Sequence, residues 1–69
     1  MARVIGRRVA AQRKKRGLSG PSLASRLGIH RSYLWRIEKG KTLPSLALID
    51  KLARFCGVSF DDLRRAEAA

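Results

Sequence analysis

Between residues 20 and 39 the chain reads GPSLASRLGIHRSYLWRIEK, and its apolar positions recur at helical rather than strand spacing. Leu23, Ala24 and Leu27 fall on one face of a first short helix, and Gly28 supplies a tight turn. Ile29, Leu34 and Ile37 fall on the inner side of a second helix. Its outer side is then Arg31, Ser32, Trp35, Arg36 and Lys39. A short helix with a basic, hydrogen-bonding outer face, propped on another helix, has the form required to enter a DNA groove.

The flanking sequence continues the helical pattern and shows no sustained period-two alternation, so no strand is predicted. Five helices fit, at about residues 3–15, 20–27, 31–39, 45–56 and 60–66, in a single domain over 1–69. Val4, Ile5 and Val9 recur at helical spacing in the first, Gly17 suits a left-handed residue past its end, and cations from Arg13 to Arg16 fill its last turn. Ser19, His30 and Ser45 fall at the N-caps of the next three helices, with Pro21 tolerated in the first turn of the second. Leu46, Ile49, Leu52, Ala53 and Cys56 are expected to line the inner face of the fourth, which Gly57 ends. Ser59 and Asp62 form a capping-box-like start to the fifth, with Phe60 and Leu63 pointing inward. Phe60, Leu63 and the tail from Arg64 to Ala69 either close the core or form a dimer contact.

Size and charge narrow the function. A chain of 69 residues allows one domain of marginal stability, and the lone Cys56 offers no internal disulfide. An unpaired cysteine, no signal-peptide pattern and no apolar run near the roughly 20 residues of a membrane span predict a soluble protein of the cytoplasm, associated with the nucleoid. Residues 1–41 hold twelve Arg or Lys and one acid, Glu38, whereas residues 42–69 hold four basic and four acidic residues. The whole net charge of +11 therefore sits on the part containing the helix pair. A one-sided positive field of this kind selects a polyphosphate partner.

The strings RKKRGLS (13–19), LASRLGI (23–29), SYLWRIEKGKTLPS (32–45) and LARFCGVSFDDL (52–63) together make the chain resemble the Cro/cI-type (XRE-family) helix-turn-helix DNA-binding domain. The resemblance runs from about Ile5 to Leu63. It implies an all-α, five-helix, lambda-repressor-like domain with its helix-turn-helix at helices 2 and 3. It also implies that Arg31, Ser32 and Arg36, with Trp35 beside them, touch base edges in the major groove. By the same resemblance Lys39, Lys41 and Thr42 contact phosphates, and Arg13 pairs with Glu38. Three departures stand out: Gly20 replaces the Gln usual at the start of helix two, Gln12 replaces an apolar residue of helix one, and Trp35 is larger than the small or polar residues common at its position.

The residue chemistry agrees with this assignment. Arginine can donate two parallel hydrogen bonds to guanine O6 and N7, which makes Arg36 and then Arg31 the first candidates for base readers. Trp35 has three roles open to it: core, groove contact against a thymine methyl or sugar, or an anchor for a protein partner. Ser19, His30 and Tyr33 are added as phosphate contacts, with packing on helix four the alternative for Tyr33. Arg7, Arg8, Lys14, Lys15 and Arg16 have no evident partners in the sequence. No catalytic residue set, metal-ligand cluster or phosphate-binding glycine loop is present, so no enzyme activity, cofactor, metal or small-molecule ligand is expected. Double-stranded DNA is the expected partner, read by a monomer or by a homodimer formed in solution or only on DNA. The expected function is a sequence-specific transcriptional repressor. The alternatives are an antitoxin-like or anti-repressor interaction module, and a non-specific binder of nucleic acid or anionic membrane.

Overall fold

Each of the last four helices begins at a side chain that accepts a hydrogen bond from an otherwise orphaned backbone N–H. Ser19 accepts from the Ser22 amide at 3.1 Å, His30 Nδ1 from Ser32 at 3.1 Å, Ser45 from Leu48 at 3.2 Å and Ser59 from Asp62 at 3.1 Å. The computed structural model describes residues 1–65. Its helices are α1 (Ala2–Lys15), α2 (Gly20–Leu27), α3 (Arg31–Glu38), α4 (Leu46–Cys56) and α5 (Phe60–Arg64), with no strand among the described residues. Residue 66, the expected end of α5, and the tail to 69 lie outside the described residues.

The α2–α3 turn is made by Gly28, whose φ of +72° lies in the left-handed region that side chains with a β-carbon avoid. The chain then closes with the Ile29 amide on the Ala24 carbonyl at 3.0 Å and the Gly28 amide on Ser25 at 3.2 Å. This pair of bonds satisfies the end of α2 and redirects the chain at once into α3.

Ile5, Leu23, Leu34, Ile37, Leu52 and Leu63 are fully buried and bring all five helices onto one core. α1 packs directly across α3, and Gly6 makes that crossing close: a β-carbon on it would overlap the Ile37 carbonyl oxygen and lie 2.9 Å from that of Glu38. Two cations of the N-terminal part, unpartnered in the sequence, hold the fold instead. Arg8 Nη1 donates to the Asp62 carbonyl at 2.6 Å, tying α1 to α5, and the Arg16 guanidinium lies 4.5 Å from the Phe55 ring centroid.

Leu46 departs from expectation, since it is 74% exposed and Leu48 takes the inward place. At 3.6 residues per turn, Leu46 lies roughly a quarter turn from the stripe formed by Leu48, Ile49, Leu52, Ala53 and Cys56. Leu63 is fully buried and Phe60 packs against the core, so these two close the interior.

Candidate nucleic-acid interface

The inner side of α3 is anchored by Leu34 and Ile37, both buried, which leaves the opposite side to solvent. Arg31, Ser32, Trp35, Arg36 and Lys39 are all exposed on it. An eight-residue helix is about 12 Å long, near the width of the DNA major groove. Arg31 and Arg36 make no ion pair with any described residue, so their guanidinium forks remain available for bidentate bonds.

Trp35 is 52% exposed, which removes the core role from its alternatives. The loop after α3 folds back on the helix, with the Gly40 amide on the Ile37 carbonyl at 3.0 Å and the Lys41 amide on Arg36 at 2.9 Å. That return brings the Lys39 and Lys41 ammonium groups each to 5.9 Å from the Trp35 ring centroid, at the outer limit of a cation–π contact. One side chain thus gathers two cations beside the outer face of α3. Thr42 follows and is half-buried.

His30 begins α3 with its ring fully used on one side. Nδ1 accepts the Ser32 amide and lies 2.7 Å from Ser32 Oγ. In the neutral ring this arrangement assigns the proton to Nε2, the nitrogen left to donate outward. Ser19, at the start of α2, gives its hydroxyl hydrogen to Ser22 Oγ at 3.0 Å while capping. Tyr33 is half-buried and packs against the core.

Glu38 would subtract from a cationic face if it stood free. It does not: Arg13 Nε donates to Glu38 Oε2 at 2.8 Å and Arg13 Nη2 to Oε1 at 3.1 Å, a two-pronged bond largely shielded from solvent. Arg13 Nη1 also donates to the Leu18 carbonyl at 3.0 Å. The bond to Glu38 holds the Arg13 guanidinium above its ordinary pKa, although burial acts the other way. The pair joins α1 to the end of α3 and neutralises the lone acid of the first 41 residues.

Two features have little or no trace in the helical pattern. One is Gly6, whose sequence signal is a helix-weakening residue in the middle of a strong helix, commonly there for close packing. The other is a concavity of about 330 Å³ between the start of α2 and the outer face of α3, lined by Gly20, Pro21, Arg31, Leu34 and Trp35 among others. No metal-ligating cluster occurs among the described residues, and none of their helices is long and apolar enough to cross a membrane.

Comparison with known proteins agrees with this geometry. Residues 4–66 match the model of a family described as helix-turn-helix domain. The uncharacterized HTH-type transcriptional regulator YazB of Bacillus subtilis is 41% identical over 66 residues, covering 96% of each chain. The immunity repressor protein of Bacillus phage phi105 is 37% identical over 54 residues, 78% of this chain and 38% of the repressor. Among solved structures, the restriction-modification controller protein C.AhdI from Aeromonas hydrophila superposes with a TM-score of 0.76 at 34% identity, covering 90% of this chain and 94% of that one. The chain belongs to the helix-turn-helix domain family, in its XRE-type branch of DNA-binding transcriptional regulators.

Proposed function

We propose that this protein is a transcriptional repressor that inserts α3 into the major groove of a specific operator and blocks polymerase by occupying it. The observation that carries this reading is the solvent-facing, cationic side of α3, rigidly backed by Leu34 and Ile37. Arg36 and Arg31 read guanines, with Ser32 and Trp35 completing the base contacts. Lys39, Lys41 and Thr42 hold phosphates on one flank, and Ser19, His30 and Tyr33 on the other. The repressor named in phage phi105 supports the direction of regulation. Helix α2 carries no acidic residue with which to touch polymerase as an activator.

The protein binds as a symmetric pair on a palindrome, in the cytoplasm where the chromosome lies. The longest dimension is 29 Å, so two copies stand on half-sites about 34–36 Å apart without overlap. Selection of bound duplexes from a random pool tests the whole reading. A palindromic sequence preferred over random DNA by roughly 10³-fold at physiological salt is the expected result. Equal affinity for every duplex overturns it. Loss of a co-purifying protein in Trp35→Ala, with DNA affinity unchanged, would favour an interaction module instead.

A further inference from the structure

The outer face of α3 is cationic, and a polyanion explains its charges. It does not explain the concavity beside them. That space, about 330 Å³, is bounded by Gly20 and Pro21 at the start of α2 and by Leu34 and Trp35 on α3, with Arg31 at its rim. Pro21, Leu34 and Trp35 make the apolar part of its lining, and Arg13, Ser32 and Glu38 line it as well. The space is open at residue 20, where a β-carbon would meet nothing within 4 Å. The Trp35 ring forms a second wall, and the Lys39 and Lys41 ammonium groups each lie 5.9 Å from its centroid.

We propose that this concavity between Gly20–Pro21 and Trp35 receives the 5-methyl group of a thymine, and that Trp35 thereby determines specificity for T over other bases at one operator position. The inference rests on the reading of α3 as the element that enters the major groove. Of what a base pair displays there, the thymine methyl is the apolar group, the rest being hydrogen-bond donors and acceptors. Arg31, on the same lining, reaches a neighbouring guanine, so the approach that seats the methyl also brings that base reader to its base edge. The apolar part of the lining, Pro21, Leu34 and Trp35, matches the methyl, and Arg31 and Ser32 beside it match the polar base edges that flank a thymine.

The test uses the operator returned by selection. Each thymine of the half-site is replaced singly by deoxyuridine, which removes the methyl and leaves every hydrogen-bonding group in place. The wild-type protein is expected to lose about fourfold in affinity at one position, the effect of one methyl group returned to water. Trp35→Ala and Gly20→Gln, the latter filling the open space, are expected to bind thymine and uracil duplexes equally at that position. Circular dichroism and melting confirm that both variants remain folded. The wild-type series decides alone if either variant does not. An operator in hand with uracil tolerated at every position overturns this inference and leaves the repressor reading standing. Absence of any enriched sequence overturns both. Pocket filling that weakens binding with no uracil effect assigns the space to deoxyribose and also overturns the methyl assignment.

Discussion

Gly6→Ala tests the closest helix crossing in the molecule. In an exposed helix interior this change stabilises, because alanine is about 1 kcal/mol more favourable than glycine. At position 6 the added β-carbon overlaps the Ile37 carbonyl oxygen and lies 2.9 Å from that of Glu38. These atoms belong to backbone, so no side chain can swing away. The end of α3 must move off α1 by about 1 Å to restore ordinary contact. Overpacking of this kind costs about 1–3 kcal/mol, and rigid backbone on both sides places Gly6 toward the upper end. After the propensity gain, the net loss is about 1–2 kcal/mol. In a domain of this size that lowers Tm by about 5–15 °C. Thermal melting followed by circular dichroism measures it, with Ala11→Gly on the exposed side of the same helix calibrating the propensity effect and Gly20→Ala, which meets open space, as a second control. Operator affinity should fall as well, since Ile37 and Glu38 end the helix that carries Arg36. A Gly6→Ala protein that melts at or above the wild-type temperature would refute the steric account.

Glu38→Ala leaves the Arg13 guanidinium without its two-pronged partner in a poorly hydrated position, at an expected cost of about 1–3 kcal/mol against the few tenths of an ordinary surface change; an unchanged Tm counts against it. Arg36→Ala should lose about 1–3 kcal/mol of discrimination at one base pair, whereas Lys41→Ala should weaken all duplexes alike, and titrations against point-altered operators separate the two. Burial pushes the Cys56 thiol up, against the opposing charges of Arg8 and Arg16. The folded protein therefore keeps this proton where the unfolded chain has released it. Stability from this group is full below the unfolded thiol's pKa of about 8.5 and declines as pH rises past it toward the folded value. Denaturant midpoints for wild type should accordingly fall faster above pH ~8.5 than those of Cys56→Ala, and parallel curves would contradict this.

Capping and periodicity made most of the fold legible in the sequence. A serine or histidine ahead of an apolar stripe is a local signal, and Ser19, His30, Ser45 and Ser59 all cap through backbone amides two or three residues on. The outer face of α3 was legible for the same reason, because once Leu34 and Ile37 are inward the rest of the wheel follows. Leu46 was misplaced, since it lies about a quarter turn off the stripe that Leu48, Ile49, Leu52, Ala53 and Cys56 form, and Leu48 takes the inward place instead. Arg8 and Arg16 were also hidden. Their partners are the Asp62 carbonyl and the Phe55 ring, more than thirty residues away in sequence, and no local rule points to either. The Gly20 concavity depends on the distance between two helices, which periodicity does not encode.

The internal employment of arginine changes what salt does to this protein. Arg13 is paired with the Glu38 carboxylate, Arg8 donates to the Asp62 backbone carbonyl, Arg16 lies over the Phe55 ring, and Arg54 lies 3.4 Å from Asp50. The outer face of α3 and the loop after it present Arg31, Arg36, Lys39 and Lys41. With Arg31 and Arg36 on bases, Lys39 and Lys41 neutralise two phosphates per copy, and log affinity then falls against log salt with a slope of about −2, where the full net charge would give about −10. Binding built this way survives ionic strengths that strip a merely basic protein from DNA, and leaves more of its grip to the shape of the groove.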